Sequence, residues 1–296
     1  MASSDFLPGF ESFDLPVGPQ LSIHGMTAGQ GRPVLLLHGH PQTLSTWHAV
    51  APRLVDAGFK VVATDLRGYG DSSRPPGGEW HVNYSKRVMA ADQVKVMQSL
   101  GHERFSVVGH DRGGRVAHRM ALDHADAIER IAVLDIAPTA TMYARTDQRF
   151  ATLYFWWFFL IQPAPLPERL IEADPEYFLR THLQAQSKTQ GVPSESLFQE
   201  YLRCYRLPGT IHAICEDYRA AAGIDLEHDA DDAHQRIRAP LLALWGSNGV
   251  VGRLYDVLAT WREKAMHVSG RALHCGHTLQ EEAPQETSDS LIEFLR

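Results

Sequence analysis

Short, almost wholly apolar runs recur along the chain, each closed by turn residues. They are VLLLHG (Val34–Gly39), KVVATD (Lys60–Asp65), FSVVGH (Phe105–His110), IAVLDI (Ile131–Ile136) and LLALWG (Leu241–Gly246), with AMHVSG (Ala265–Gly270) a weaker sixth. Continuous apolarity over so few residues predicts strands covered on both faces, as in a parallel sheet. Helix-like segments lie between several of them, for example Ser85–Leu100, which Gly101 ends. Strand alternating with helix predicts an α/β fold with a mostly parallel, doubly wound sheet. The rhythm breaks between about Pro138 and Ile224, where the aromatic run Tyr154–Phe159 leads through QPAPLPE into helix-like pieces with few strand signals. That break predicts a helical cap, residues 139–224, inserted into a core made of residues 1–138 and 225–296.

A chain of 296 residues is long enough to bury a sizeable core. Lys plus Arg number 28 and Asp plus Glu 35, a formal charge of −7. That balance weighs against nucleic acid or an anionic membrane surface as partner, though not against a small anion held at a local basic site. Three cysteines, Cys204, Cys215 and Cys275, do not make a disulfide framework and suit a reducing compartment. MASSDFLPGF lacks the basic start and apolar run of a signal peptide. The most apolar segment, Leu153–Ile161, is far below the roughly 20 residues of a membrane helix. The expectation is a soluble, cytoplasmic protein. The acidic LEHDADDAH (Leu226–His234) contains metal-ligand types but reads as a solvated loop.

Candidate chemistry centres on FSVVGHDRGGRVAHRM (Phe105–Met120). Gly109-His110-Asp111-Arg112-Gly113 falls at a strand-to-helix junction and matches the G-x-nucleophile-x-G elbow of α/β-hydrolases, with Asp in place of the commoner Ser. The flanking glycines permit a tight turn, which lifts Asp111 to the carboxyl end of the sheet, where ligands bind in such folds. The following helix N-terminus favours its ionised form. The plainer reading makes Asp111 an N-cap. Three features favour the elbow: His38-Gly39-His40-Pro41 where such folds place an oxyanion-hole loop, Asp135 ending the next strand, and His277 near the C-terminus. Nucleophile, acid and histidine then follow in α/β-hydrolase order, and the fold class expected is the α/β-hydrolase fold with a cap.

Several stretches carry a closer likeness. LLLHGHPQT, ATDLRGYGDSS, VVGHDRGGRVAHRMALDHAD, AVLDIAPT and CGH, with FFLIQPAP and DYRAA in the cap, resemble the fluoroacetate (haloacetate) dehalogenases of the α/β-hydrolase superfamily over most of the chain. Epoxide hydrolases and haloalkane dehalogenases share the Asp but commonly have Trp where this chain has Arg112. Their neutral substrates do not need two guanidiniums, whereas a haloacetate carries a carboxylate, which Arg grips through forked, charge-assisted hydrogen bonds. Arg112 and Arg115, three apart, can share a helix face. The resemblance implies that they clamp the substrate carboxylate beside Asp111; the plainer reading pairs Arg115 with an acidic surface neighbour.

The resemblance also implies Asp135 as the acid, since the loop after Leu241–Trp245 reads GSNGVVG and holds no carboxylate. It selects His277 over His274 as the base, and makes Cys275 a bystander. Backbone N–H groups of His40 and Arg112 would hold an oxyanion, with His40 standing where relatives often have Phe. Trp157 and Tyr218 match positions that donate to the departing halide. Defluorinating members carry His where this chain has Trp156, so chloride or bromide removal is the first expectation. No metal or organic cofactor is implied. The expected partners are a small haloacid, halide and water, and a homodimer is what the resemblance suggests. The competing readings are an epoxide hydrolase with the same Asp-His-Asp set, and a non-catalytic small-acid binder on this scaffold.

Overall fold

A computed structural model describes residues 5–296. Eight strands form one sheet: β1 (Glu11–Gly18), β2 (Leu21–Ala28), β3 (Arg32–Leu37), β4 (Phe59–Thr64), β5 (Phe105–His110), β6 (Ile128–Leu134), β7 (Leu241–Gly246) and β8 (Val268–Leu273). Their spatial order is β1-β2-β4-β3-β5-β6-β7-β8. From β4 to β8 every pairing is parallel, while β1 and β2 run antiparallel at one edge. The helices of the first half are α1 (Ala51–Asp56), α2 (Lys86–Ser99) and α3 (Arg112–Asp123). Between β6 and β7 lie α4 (Thr139–Ala144), α5 (Gln148–Leu153), α6 (Phe155–Phe159), α7 (Leu166–Ala173), α8 (Pro175–Gln186), α9 (Glu195–Tyr205), α10 (Thr210–Ala222) and α11 (Ile224–Asp231). The chain closes with α12 (Val250–Leu254), α13 (Val257–Arg262), α14 (Leu279–Glu282) and α15 (Pro284–Leu295).

Strand alternation sorts the core onto the two sheet faces. Leu35, Val62, Val107 and Val133 face α2 and α3, meeting Met89, Met97, Val116 and Met120 in one cluster. Val34, Leu36, Val61, Val108 and Leu134 face the other way, toward Leu54, Leu291 and Leu295. Both faces are therefore dry, which is why these strands read as unbroken apolar runs. The first cluster continues into the cap through Phe150, Trp157, Ile171, Leu179, Phe198 and Tyr201. Ser85 caps α2 by accepting from the Val88 N–H, and Gly101 follows it at φ 84°.

Four expectations need correction. The hairpin β1–β2 was not anticipated: Phe13, Leu15 and Val17 alternate with polar residues, the pattern of an edge strand covered on one side by Val96 and Leu100. The last strand starts at Val268, not Ala265, because Leu241 pairs with Val268 and sets the register. β6 starts at Ile128 and ends at Leu134, leaving Asp135 beyond the ladder. LEHDADDAH is not a solvated loop; most of it is α11. Asp232 of that stretch accepts from Arg87 of α2 and Arg119 of α3 at 2.7 and 2.6 Å, and Asp225, just before it, accepts from the Lys86 backbone N–H at 2.8 Å. Among the described residues no helix is long and apolar enough to cross a membrane.

Candidate active site

Chain order reverses on either side of β3, which pairs with β4 and β5, so a crevice opens at the carboxyl ends of β3 and β5. The His38–Pro41 loop leaves β3 there and the elbow leaves β5. Asp111 sits at φ 45° and ψ −112°, a conformation L-residues rarely adopt, and it makes no side-chain cap bond to α3. The N-cap reading therefore fails. Two glycines make the turn possible: a Cβ at Gly113 would lie 2.5 Å from the His38 carbonyl oxygen, and one at Gly39 would lie 2.5 Å from the Asp111 Cβ. The loops can then meet closely enough for the His40 backbone N–H to donate to Asp111 Oδ1 at 3.1 Å.

Asp135 follows β6, and its Oδ2 accepts from His277 Nδ1 at 2.6 Å while its Oδ1 accepts from the Gly246 N–H at 2.9 Å. The other ring nitrogen, His277 Nε2, lies 3.9 Å from Asp111 Oδ2 and has no hydrogen-bond partner among the described residues. His277, Asp135 and Asp111 are all buried, whereas His274 is exposed and Cys275 is buried away from any elbow. Burial alone would raise the Asp111 carboxyl; the charges of His277, Arg115 and Arg112 outweigh it and hold the group below the ordinary carboxylate range. Burial would lower His277, but the Asp135 hydrogen bond and the charges of Asp135 and Asp111 raise it. The result is an ionised carboxylate beside an imidazole oriented by a second carboxylate, a set able to perform nucleophilic and general-base chemistry.

The two arginines are not equivalent. Arg112 is fully buried and its Nε and Nη2 donate to the Asp217 carboxylate at 2.8 and 2.7 Å. Its Nη1 has no partner among the described residues. Among the described residues Arg115 pairs with no carboxylate: Nη1 donates to Thr139 Oγ1 at 2.8 Å and to the Ala137 carbonyl at 3.2 Å, and Nε has no partner there. The surface-pair reading of Arg115 is thus excluded. Each guanidinium lies over an aromatic ring, Arg112 over Tyr218 at 4.2 Å and Arg115 over Trp157 at 4.7 Å. Trp157 Nε1 is buried without a hydrogen-bond partner among the described residues, and Tyr218 OH is 3.3 Å from His40 Nδ1. Trp156 is buried as well, edge-on to His182. All nine residues singled out in the sequence thus lie together where the cap meets the sheet. A cavity of about 230 Å³, lined in part by Tyr154, Trp156, Gln186, Arg253 and His277, leads to them.

Sequence reasoning missed three residues here. Asp217 gathers Arg112, the Lys86 ammonium and Tyr69 OH (2.6 Å) on one carboxylate. His182 of α8 lies against Trp156 and His40. Glu282 accepts from the Gly276 and Thr278 N–H groups at 2.9 and 3.0 Å, on either side of His277. The same carboxylate accepts from the Lys188 N–H and Thr189 Oγ1 of the cap at 2.8 and 3.0 Å, and the His277 N–H donates to the Gln186 carbonyl at 3.2 Å. Asp217 adjoins Tyr218 in the DYRAA stretch, so its neighbour was the only available signal.

Residues 32–284 match the family described as the alpha/beta hydrolase fold. A fluoroacetate dehalogenase from Burkholderia sp is 44% identical over 289 residues, covering 97% of this chain and 94% of that protein. A soluble epoxide hydrolase from Corynebacterium sp. (strain C12) is 35% identical, covering 92% of this chain and 93% of its own length. A crystal structure of an alpha/beta hydrolase from Nostoc sp PCC 7120 superposes with a TM-score of 0.95 at 57% identity, over 97% of this chain and 98% of that one. The elbow, the sheet order and these likenesses lead to one assignment: this chain is a hydrolase of the α/β-hydrolase superfamily and belongs to its fluoroacetate (haloacetate) dehalogenase family.

Proposed function

We propose that the protein hydrolyses a haloacetate-like 2-haloacid to the 2-hydroxy acid through an ester on Asp111. One observation carries this reading: two buried guanidiniums flank the nucleophile position, and each keeps an unpartnered N–H, Arg112 Nη1 and Arg115 Nε. Burying such donors without an acceptor costs free energy, which a substrate carboxylate relieves. Asp217 already neutralises Arg112, so the net attraction for the anion rests on Arg115.

With the carboxylate held there, Asp111 attacks the halogen-bearing carbon in line. A carbon–oxygen bond forms as the carbon–halogen bond breaks, and the halide leaves with the electron pair. Trp157 Nε1, Tyr218 OH and Trp156 stabilise it as its charge develops. His277, held by Asp135, takes a proton from water, which attacks the Asp111 carbonyl carbon. The His40 N–H, already on Asp111 Oδ1, stabilises the oxyanion together with that of Arg112.

Halide release from fluoro-, chloro- and bromoacetate, followed by ion chromatography beside styrene oxide hydrolysis, tests this reading. Release of chloride or bromide without diol supports it; diol without halide would overturn it in favour of an epoxide hydrolase. One observation favours that second reading: Tyr218 OH meets the ring of His40, whose backbone N–H is on Asp111, where it could protonate an epoxide oxygen.

The pH dependence follows from the signs. Only neutral His277 can act as base, and its pKa in the free protein is raised above 6.5. The Asp111 charge is one of the causes, and esterification removes it. Ester hydrolysis is therefore expected to fall as pH drops through an apparent pKa lower than that of the free protein. Comparing the kcat profile with an NMR titration of His277 in the free protein checks this; an equal or higher kinetic value would refute it.

A further inference from the structure

Among the buried imidazoles that the reaction as drawn leaves unused, two meet each other beside the site. His182 is 4% exposed and His40 1% exposed. Both ring nitrogens of His182 and Nε2 of His40 have no hydrogen-bond partner among the described residues. The two rings meet edge to face at 4.7 Å between centroids, and His182 meets Trp156 in the same way at 4.4 Å. Phe178 stacks on its far side at 6.2 Å. Apolar and aromatic walls thus surround a side chain that carries one N–H and one lone pair.

The surroundings set that polarity beside the reacting groups. The His40 backbone N–H is on Asp111, and the His40 ring touches Tyr218 OH. His182 therefore sits against Trp156 and against the His40 ring that meets Tyr218 OH, and Trp156 and Tyr218 are two of the groups assigned above to the halide. Burial keeps His182 neutral, and the charges of Asp111 and His277 reach it. In an in-line displacement the leaving atom departs away from Asp111, toward the groups assigned to it, which His182 adjoins through Trp156.

We propose that His182 supplies an N–H to the departing halide and so determines which halides the protein can displace, an inference that rests on the dehalogenase reading. No proton is transferred: the carbon–halogen pair leaves with the halide, and the imidazole N–H remains on nitrogen as a donor. Fluoride concentrates its charge most and is the poorest leaving group, so it depends most on each donor. Bromide spreads its charge and depends least.

His182→Phe keeps a ring against Trp156 and His40 but removes the N–H; His182→Asn restores a donor without the ring. Fluoride and bromide release at saturating fluoroacetate and bromoacetate are measured on both, with thermal unfolding as a check on the fold. Fluoride release is expected to fall about 10- to 100-fold more than bromide release in His182→Phe, and to recover in part in His182→Asn. An equal fall for the two halides, or no recovery with Asn, would overturn the assignment. Bromide release without fluoride release by the unaltered protein would overturn it too while leaving the dehalogenase reading intact. No bromide release at all would overturn both.

Discussion

Asp111→Asn is expected to lower halide release by about 10⁴-fold or more, and His277→Gln to release about one halide per protein and then stop. The two outcomes differ because the residues act in different half-reactions. Asp111 is ionised without help from a base, and when the charge of His277 is removed those of Arg115 and Arg112 still favour the ionised form. Its attack therefore survives loss of the imidazole, while hydrolysis of the ester does not. Asn is isosteric and still accepts the His40 N–H, so the elbow keeps its shape and the loss reports nucleophilicity. Rapid-quench halide measurement and the intact mass of the His277→Gln protein would show the burst and the ester together. A single turnover in heavy-oxygen water should place label in Asp111 before the product. Label appearing first in the product would mean that water attacks the substrate directly.

Asp217→Asn is expected to destabilise the fold by about 3–5 kcal/mol, a fall in Tm on the order of 10 °C. The carboxylate is fully buried and faces two cations, Arg112 and Lys86. Asp225 lies 3.5 Å from Lys86 and relieves part of that charge, but among the described residues Asp217 alone forms an ion pair with Arg112. Without Asp217 the guanidinium plane is no longer held between the carboxylate and the Tyr218 ring, so kcat/KM for bromoacetate should fall about tenfold. Acetate should raise the Tm of Asp217→Asn more than that of the parent, because a bound carboxylate replaces the lost counter-charge. Calorimetry with and without acetate checks both, and a variant melting with the parent would show that the network carries no stability.

The parallel strands were legible because both sheet faces are covered, so each strand announces itself by apolarity alone. β1–β2 was not, because an edge hairpin needs only Phe13, Leu15 and Val17 on one side and its other face is free to be polar. The elbow was legible because strand, turn and helix are contiguous, and the spacing of Gly109 and Gly113 records the close approach of β3. Asp217 and His182 were illegible for the opposite reason. Each is an ordinary polar residue on a cap helix, and its meaning lies in which distant groups the cap sets against it. The arginine pair shows both halves of this. Its closeness to Asp111 is written in HDRGGR, but its inequality is decided by a carboxylate 105 residues away.

Glu282 joins two things usually considered apart, the aim of the base and the position of the door. Chain segment 186–189 borders the cavity that leads to His277, and it hangs on Glu282 and on the His277 N–H. Any displacement of that segment that widens the entrance strips hydrogen bonds from the carboxylate that also braces the residues on either side of His277. The brace of the base and the wall of its approach are thereby one set of hydrogen bonds, so a change to either reaches the other.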